Sequence, residues 1–229
     1  IAVNMDGFII SHSIESMQYV TDEDVKKFVG EYIAIDPLLD IDNPKSIGAL
    51  VLPDYYMEHK RAQHEAMMNV KKVVGDVSAE FAKLTGRKYE LFEAYRLEDA
   101  EVVLVALNSA AGTIKDEVDL YREKGVKAGL LKPRMFRPFP YEEVGAALKN
   151  AKAVCVMDRA DSYGGFGPLF MEIASAVYPH RGPVIFNKIY GLGGRDLMPL
   201  AVDQVIDETI EVAKTGKVKM VKEYITVRN

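Results

Sequence analysis

Residues 153–178 read AVCVMDRADSYGGFGPLFMEIASAVY, and they encode a strand, a glycine-rich turn and a helix. The first five residues, Ala153–Met157, are apolar, as in a strand that is buried on both faces. Pro168 follows the turn at the place of a helix's first residue, where its missing N–H would have had no partner within the helix. The turn is therefore predicted at the carboxyl end of a strand, the edge of an open parallel sheet where ligands and partners usually bind.

Strands and helices alternate through the rest of the C-terminal part. Three more strands are predicted, separated by helical patterns: the all-apolar run Val102–Leu107, then Val126–Leu131 and Val184–Ile189. The tail is predicted to add a last strand at Tyr224–Val227. Because strands joined by helices form right-handed crossovers, we predict a parallel sheet that is covered by helices on both faces.

The N-terminal part is predicted not to form a domain of its own. Phe8–Ile10 is short and apolar and predicts a strand, and the polar residues Ser11–Ser13 predict a turn after it. Thr21 opens a short helix with a pattern that resembles a capping box, and residues 36–54 have the proline and aspartate content of a loop. Since Ile1 lies inside an apolar run, we expect the chain to be a fragment or a processed piece.

A long helix is predicted to join the two parts. From about Asp54 to Thr85, apolar residues fall three or four apart and so share one face. Gly86 stands where a C-terminal capping glycine belongs. The predicted division is therefore residues 1–53, a linking helix and connection over residues 54–98, and an α/β domain over residues 99–229.

Composition argues against several classes of function. The 229 residues carry a formal net charge of −5, which gives no general attraction to nucleic acid or to an anionic membrane. No apolar run reaches the length that crosses a bilayer, so we expect no membrane span, and the single cysteine fits a reducing cytoplasm. The single cysteine, Cys155, excludes an internal disulfide framework and an iron–sulfur cluster held by this chain alone.

Four loops are predicted to meet at the carboxyl edge of the sheet: residues 108–112, 132–140, 158–167 and 191–196. Their basic side chains, Lys132 and Arg134 among them, and their glycine-rich backbone at helix N-termini favour a phosphate or a carboxylate. The candidate residues for an anion-binding or interdomain loop are Arg137, Arg159, Gly164, Gly165, Gly167, Gly193, Gly194, Arg195 and Asp196. The alternative, which we favour, is that the glycines serve tight turns. The arginines would then pair with Asp158, Asp161 or Asp196, or with a neighbouring subunit.

The sequence contains no self-contained catalytic set. The glycines of residues 164–167 match neither a dinucleotide-binding pattern nor a P-loop, and Ser162 lacks the small-residue elbow of a hydrolase nucleophile. His59 and His64 are five residues apart, which misses the four-residue spacing of a metal-binding pair on a helix. We therefore predict no catalytic residue and no metal site.

Three stretches resemble the alpha subunit of the pyruvate:ferredoxin oxidoreductases, also called pyruvate synthases. Residues 6–12, DGFIISH, resemble the segment that closes the family's pyrimidine-binding domain. Residues 125–140 end in RPFP and resemble its transketolase-C-terminal-like domain. The third stretch combines Asp158-Arg159 and GGFGPL (residues 164–169) with GLGGRD (residues 191–196), and it is the most specific to 2-oxoacid:ferredoxin oxidoreductases.

The resemblance implies a fold of class α/β: a parallel-sheet transketolase-C-terminal-like domain, preceded by a remnant of the pyrimidine-binding thiamine domain and a long linking helix. It implies that the complete enzyme decarboxylates pyruvate oxidatively to acetyl-CoA and passes electrons to ferredoxin. That enzyme would use thiamine diphosphate, Mg²⁺, iron–sulfur clusters and coenzyme A, none of them bound by this chain alone. The chain would then serve assembly, through contacts with other domains or subunits of a homo- or hetero-oligomer, and Ser11 and His12 are candidates for the active-site wall.

Three alternatives stay open. The substrate could be 2-oxoglutarate or a branched-chain 2-oxoacid, because the resemblance implies that the residues in contact with substrate lie upstream. The chain could instead be a non-catalytic anion-binding or interaction module that uses only the loops at the sheet edge. The C-terminal domain of a transketolase or of an oxoacid dehydrogenase beta subunit is less favoured, since GLGGRD argues against it.

Overall fold

The computed structural model describes residues 1–14, 16–48 and 50–228, and the chain forms two compact units. One unit consists of Ile1–Glu15 with Glu90–Asn229, and the other consists of Ser16–Tyr89. No helix among the described residues is long and apolar enough to cross a membrane. The three-part division at residues 53 and 98 stays a prediction.

The larger unit is built on a six-stranded sheet with the order β1-β3-β2-β4-β5-β6. Its strands are β1 (Phe92–Tyr95), β2 (Val102–Val105), β3 (Ala128–Pro133), β4 (Ala153–Asp158), β5 (Val184–Ile189) and β6 (Lys222–Tyr224). Strands β2 to β6 pair in parallel, whereas β1 pairs antiparallel with β3. The parallel sheet is confirmed, and the antiparallel edge strand is an addition that the apolar pattern did not predict.

Helices cover both faces of this sheet. The helices of the described chain are α1 (Gly7–His12), α2 (Asp22–Val29), α3 (Pro53–Met68), α4 (Val70–Thr85), α5 (Ala110–Glu123), α6 (Tyr141–Leu148), α7 (Pro168–Val177) and α8 (Pro199–Thr215). Helices α5 and α8 pack against one face, with Leu104 and Cys155 in the core between them and the sheet. Helices α6 and α7 pack against the other face, with Val103 and Val154 in that core. Successive strand residues point to opposite faces, so the largely apolar inner strands supply both cores.

The smaller unit contains α2, α3 and α4. The Thr21 hydroxyl accepts a hydrogen bond from the Asp24 N–H at 3.2 Å, which is the predicted cap of α2. Phe28 of α2 packs against Phe81 of α4, with ring centroids 5.7 Å apart. None of the described residues of this unit is buried, so its apolar face is only partly covered within the chain.

The predicted long helix is in fact two helices that meet at Asn69. The Asn69 N–H donates to the Ala66 carbonyl three residues back, at 3.2 Å. Such a bond tightens the backbone into a local turn and ends the α-helical ladder. Gly86 caps α4 in the left-handed conformation, with φ of 72°, as the sequence predicted.

The predicted strand at Phe8–Ile10 is wrong, because these residues lie in helix α1. The Ile10 N–H donates to the Asp6 carbonyl at 3.0 Å, the first hydrogen bond of that helix. A strand requires a neighbouring strand, and the described sheet has none beside this segment. The polar residues Ser11 and His12 therefore stand in the last turn of a helix and not in a turn after a strand.

Candidate functional site

The loops that follow β2 and β4 lie where the strand order reverses. The chain passes from β2 to β3 on one side and then crosses to β4 on the other side of β2. In open α/β sheets, ligands bind in the crevice outside the carboxyl ends of the strands at such a switch point. Ser109 follows β2 and Arg159 follows β4, so both stand at this crevice.

The carboxylate of Asp6 occupies the crevice. One Arg159 Nη atom donates to both Asp6 oxygens, at 2.8 and 3.1 Å, and the Ser109 hydroxyl donates to one of them. The side chains of Asp6 and Arg159 are 10% and 21% exposed, so water screens this ion pair less than a surface pair. Because Asp6 is the N-cap residue of α1, the contact ties the N-terminal helix to the sheet.

Tyr190 and Gly191 lie against the Arg159 side chain and restrict its position. Its guanidinium carbon lies 5.2 Å from the centroid of the Tyr190 ring. Gly191 has φ of +66°, and a Cβ there would come within 2.7 Å of the Arg159 Nε. Burial raises the pKa of Tyr190 to about 12, against the opposite effect of Arg159. The tyrosine therefore stays neutral and presents its ring face to the cation.

Asp158, the last residue of β4, caps helix α7 from inside the fold. Its carboxylate accepts from the N–H groups of Leu169 and Phe170, at 2.8 and 3.1 Å, and from the Asn187 amide at 2.9 Å. Burial raises the pKa of Asp158, although these three donors act in the opposite direction. The Asn187 side chain also accepts from the Gly167 N–H at 2.9 Å. Both ends of the turn are thus fixed by hydrogen bonds.

The middle of the turn at residues 158–167 is fastened to the edge strand β6. The Lys222 ammonium pairs with Asp161 and donates to the Gly165 carbonyl at 2.6 Å. The Tyr224 hydroxyl donates to the other Asp161 oxygen at 2.6 Å. The hydrogen bonds from Lys222 and Tyr224 lower the pKa of Asp161. The glycine-rich turn is therefore an ordered element of the sheet edge.

The predicted loop arginines have partners of their own within the chain. Arg137 pairs with Glu172 at 2.7 Å, and Arg195 donates to the Thr226 carbonyl. Neither arginine pairs with Asp158 or Asp161, because those carboxylates bind the α7 N-terminus and Lys222. Among the predicted glycines, Gly164, Gly193 and Gly194 have positive φ angles of 74°, 69° and 84°, which tight turns require. Asp196 is exposed.

Ser11 and His12, the predicted active-site wall, are exposed in the last turn of α1. The Ser11 hydroxyl and the His12 Nδ1 are 2.7 Å apart. They follow Asp6 by five and six residues, in the helix that the contacts of Asp6 with Arg159 and Ser109 tie to the sheet. The role of Asp6 could not be predicted from the sequence, because no local pattern connects two residues 153 positions apart.

A cavity of about 360 Å³ lies between α8 and the tail that follows β6. Lys188 lines it and is only 1% exposed, yet it pairs with Glu208 at 2.6 Å and also with Glu223. Burial alone would lower the pKa of Lys188, but the two carboxylates outweigh burial and raise it. The Lys188 ammonium is therefore engaged by ion pairs within the chain.

Two family models match the chain. Residues 1–79 match "Pyruvate flavodoxin/ferredoxin oxidoreductase, thiamine diP-bdg", and residues 100–202 match "Pyruvate:ferredoxin oxidoreductase core domain II". The chain belongs to the pyruvate:ferredoxin oxidoreductase family. The contact between Asp6 and Arg159 thus joins a residue of the first matched region to a residue of the second.

Curated relatives match most of the chain. Pyruvate synthase subunit PorA of Thermotoga maritima is 49% identical over 92% of this chain and 54% of that protein. Ketoisovalerate oxidoreductase subunit VorA of Pyrococcus abyssi is 37% identical over 92% of this chain and 54% of that protein. The chain spans about half the length of the curated relatives it matches.

A solved structure has the same fold. It is the 2-oxoglutarate:ferredoxin oxidoreductase from Magnetococcus marinus with 2-oxoglutarate, coenzyme A and succinyl-CoA bound. The TM-score is 0.50 at 17% identity, and the match covers 75% of this chain and 28% of that chain. At this identity the likeness shows the fold alone.

The residues of this chain do not by themselves fit the cofactors that the family implies. In the region matched by the thiamine model, every residue whose burial the structure describes is exposed or only partly buried. The described residues hold no group of three or more His, Cys, Asp or Glu side chains that could bind a metal ion. Cys155 is buried, and iron–sulfur clusters usually take four cysteines. No step of a reaction is therefore assigned to these residues.

Proposed function

We propose that this chain is part of the alpha subunit of a pyruvate:ferredoxin oxidoreductase. The complete cytoplasmic enzyme would decarboxylate pyruvate oxidatively to acetyl-CoA and pass the electrons to ferredoxin. It would use thiamine diphosphate, Mg²⁺, iron–sulfur clusters and coenzyme A, supplied by further domains and subunits. The observation that carries this proposal is the 49% identity to pyruvate synthase subunit PorA over 92% of the chain.

The contribution of this chain would be assembly and contact between domains. The ion pair of Asp6 with Arg159, and the hydroxyl of Ser109, support this role because they fasten α1 to the switch point of the sheet. The Asp6 carboxylate thus lies at the edge where a sheet of this kind usually binds a ligand. The exposed Ser11 and His12 at the end of α1 would face a neighbouring domain at the active-site wall.

The test measures pyruvate-dependent and coenzyme A-dependent reduction of a low-potential dye. The chain alone and the complex that contains it are assayed under the same conditions. We expect activity in the complex and none in the chain alone. Activity of the isolated chain would contradict the assembly role and would mean that the chain contains a complete catalytic site.

The second candidate substrate is a branched-chain 2-oxoacid. It is favoured by the 37% identity to ketoisovalerate oxidoreductase subunit VorA over the same 92% of the chain. The complex should be assayed with pyruvate, 2-ketoisovalerate and 2-oxoglutarate, and kcat/KM should be compared. We expect the highest kcat/KM with pyruvate. A higher value with 2-ketoisovalerate would change the substrate and leave the family unchanged.

A further inference from the structure

Three cationic side chains surround one carboxylate beside β3 and the edge strand β1. The Glu93 carboxylate of β1 pairs with Lys115 of α5 through one oxygen and with Arg134 through the other, at 2.8 Å. Lys132 stands directly opposite Glu93 in the antiparallel pair of β1 and β3. Side chains in such positions lie next to each other on one face of the sheet. We call these four residues the Glu93 cluster.

Lys132 is the cation of the cluster that Glu93 attracts only electrostatically, without a hydrogen bond or a close ion pair. Across residues 1–14, 16–48 and 50–228, no side chain or carbonyl forms a hydrogen bond or an ion pair with its ammonium group. The Glu93 oxygens are already in contact with Lys115 and Arg134. Asp119, one helical turn after Lys115 in α5, is engaged by the Tyr95 hydroxyl at 2.6 Å and by Arg96.

An anion beside Lys132 would stabilise its charged form, which burial and the neighbouring cations disfavour. Burial lowers the pKa of Lys132, Glu93 opposes this effect, and the neighbouring Lys115 and Arg134 lower the pKa further. An ammonium group that is partly removed from water and close to like charges gains most from a negative ligand. The cluster also lies near the carboxyl end of β3, which ends at Pro133, and this is the edge where open α/β sheets bind ligands.

We propose that Lys132, together with Lys115 and Arg134, binds a phosphate group. Phosphate fits this arrangement because it offers several acceptor oxygens to the two ammonium groups and can accept paired hydrogen bonds from a guanidinium. Glu93 acts as the internal competitor, since it repels the ligand and holds two of the three cations. This site is separate from the crevice of Asp6 and Arg159, and it does not depend on the activity proposed above.

Titration calorimetry of the full chain with inorganic phosphate, at constant ionic strength set with chloride, tests the site. We expect saturable binding that weakens about tenfold in Lys132→Gln, the loss expected for one charge-assisted hydrogen bond. Lys214→Gln is the matched control, because this lysine is exposed near the end of α8, and we expect it to bind phosphate as the parent chain does. Equal affinity in both variants, or no saturable binding in the parent chain, would overturn the proposal.

Glu93→Gln gives a second test with the opposite sign. Removing the competing negative charge should tighten phosphate binding, whereas a purely structural cluster would give no gain. Circular dichroism of each variant checks that the fold is kept. Titration with ADP identifies the source of the phosphate group: tighter binding than that of inorganic phosphate points to a nucleotide ligand, and equal binding points to the free ion.

Discussion

At the scale of single residues, the turn after β4 has no space for a Cβ atom at Gly167 but can accept one at Gly165. A Cβ on Gly167 would overlap the Asp158 carboxylate and would lie 2.7 Å from the Asp158 Cβ. A Cβ on Gly165 would be 3.4 Å from its nearest neighbours, which are atoms of Ser162. Both glycines belong to the same motif, but neighbouring atoms exclude a side chain only at Gly167.

We therefore expect Gly167→Ala to lower the free energy of unfolding by roughly 1–3 kcal/mol, as overpacking in a closed site does. The added methyl group must displace the Asp158 carboxylate, which holds the N–H groups of Leu169 and Phe170. Gly165→Ala is the control and should change the free energy by less than about 0.5 kcal/mol. Urea unfolding of both variants measures the difference, and equal losses would contradict this explanation.

The sequence predicts the tight turn, but it does not show why residue 167 has to be a glycine. The motif of residues 164–168 predicts a turn that leads into a helix with a proline at its first position, and Pro168 does begin α7. The carboxylate that excludes a side chain at residue 167 comes from Asp158. Its direction is set by Asn187 of the neighbouring strand, and no local pattern records that neighbour.

At the scale of elements, the pattern of apolar residues predicted the buried strands and the helices that pack against them. The strand Val184–Ile189 has the predicted bounds, because it is flanked by a turn on each side and is apolar over most of its length. Strand β1 was not predicted because Glu93 interrupts its apolar character, and it is stable through its pairing with β3. The apolar Phe8–Ile10 became a helix because tertiary context decides between helix and strand in so short a run.

The fastening of the glycine-rich turn to β6 makes a prediction about pH. The pKa of Asp161 is lowered from the ordinary value of 3.8 in the folded chain. A carboxyl whose folded-state pKa is lower than its unfolded-state pKa stabilises the fold above the unfolded value, and this stabilisation is lost as pH falls through the folded value. The difference in stability between the parent chain and Asp161→Asn should thus be constant near neutral pH and shrink below about pH 4.

Urea unfolding at a series of pH values measures this difference. Lys222→Gln provides the control, since it removes the ammonium group that pairs with Asp161. In the Lys222→Gln background, the further change Asp161→Asn should have a smaller effect with a weaker dependence on pH. A pH dependence that is unchanged in this background would assign the stabilisation of Asp161 to another group.

At the scale of the whole molecule, Asp6 of the matched region 1–79 and Arg159 of the matched region 100–202 form a partly buried ion pair. Arg159 has a buried Nε without a hydrogen-bond partner among the described residues, so its charge is compensated chiefly by Asp6. A buried cation that loses its partner is costly. The position of α1 should therefore depend on this pair more than on any exposed contact.

A double-mutant cycle of Asp6→Asn and Arg159→Gln in the full chain tests this dependence. We expect a coupling energy of about 0.5–3 kcal/mol in the free energy of unfolding, as for residues in direct contact. Hydrogen exchange of the α1 amides should be faster in each single variant, because either change releases the helix from the sheet. The control cycle pairs Asp6→Asn with Arg137→Gln, since Arg137 binds Glu172 and shares no partner with Asp6. A coupling energy as small as that of the control would mean that α1 is held by other contacts, and the assembly role of the Asp6–Arg159 pair would then be wrong.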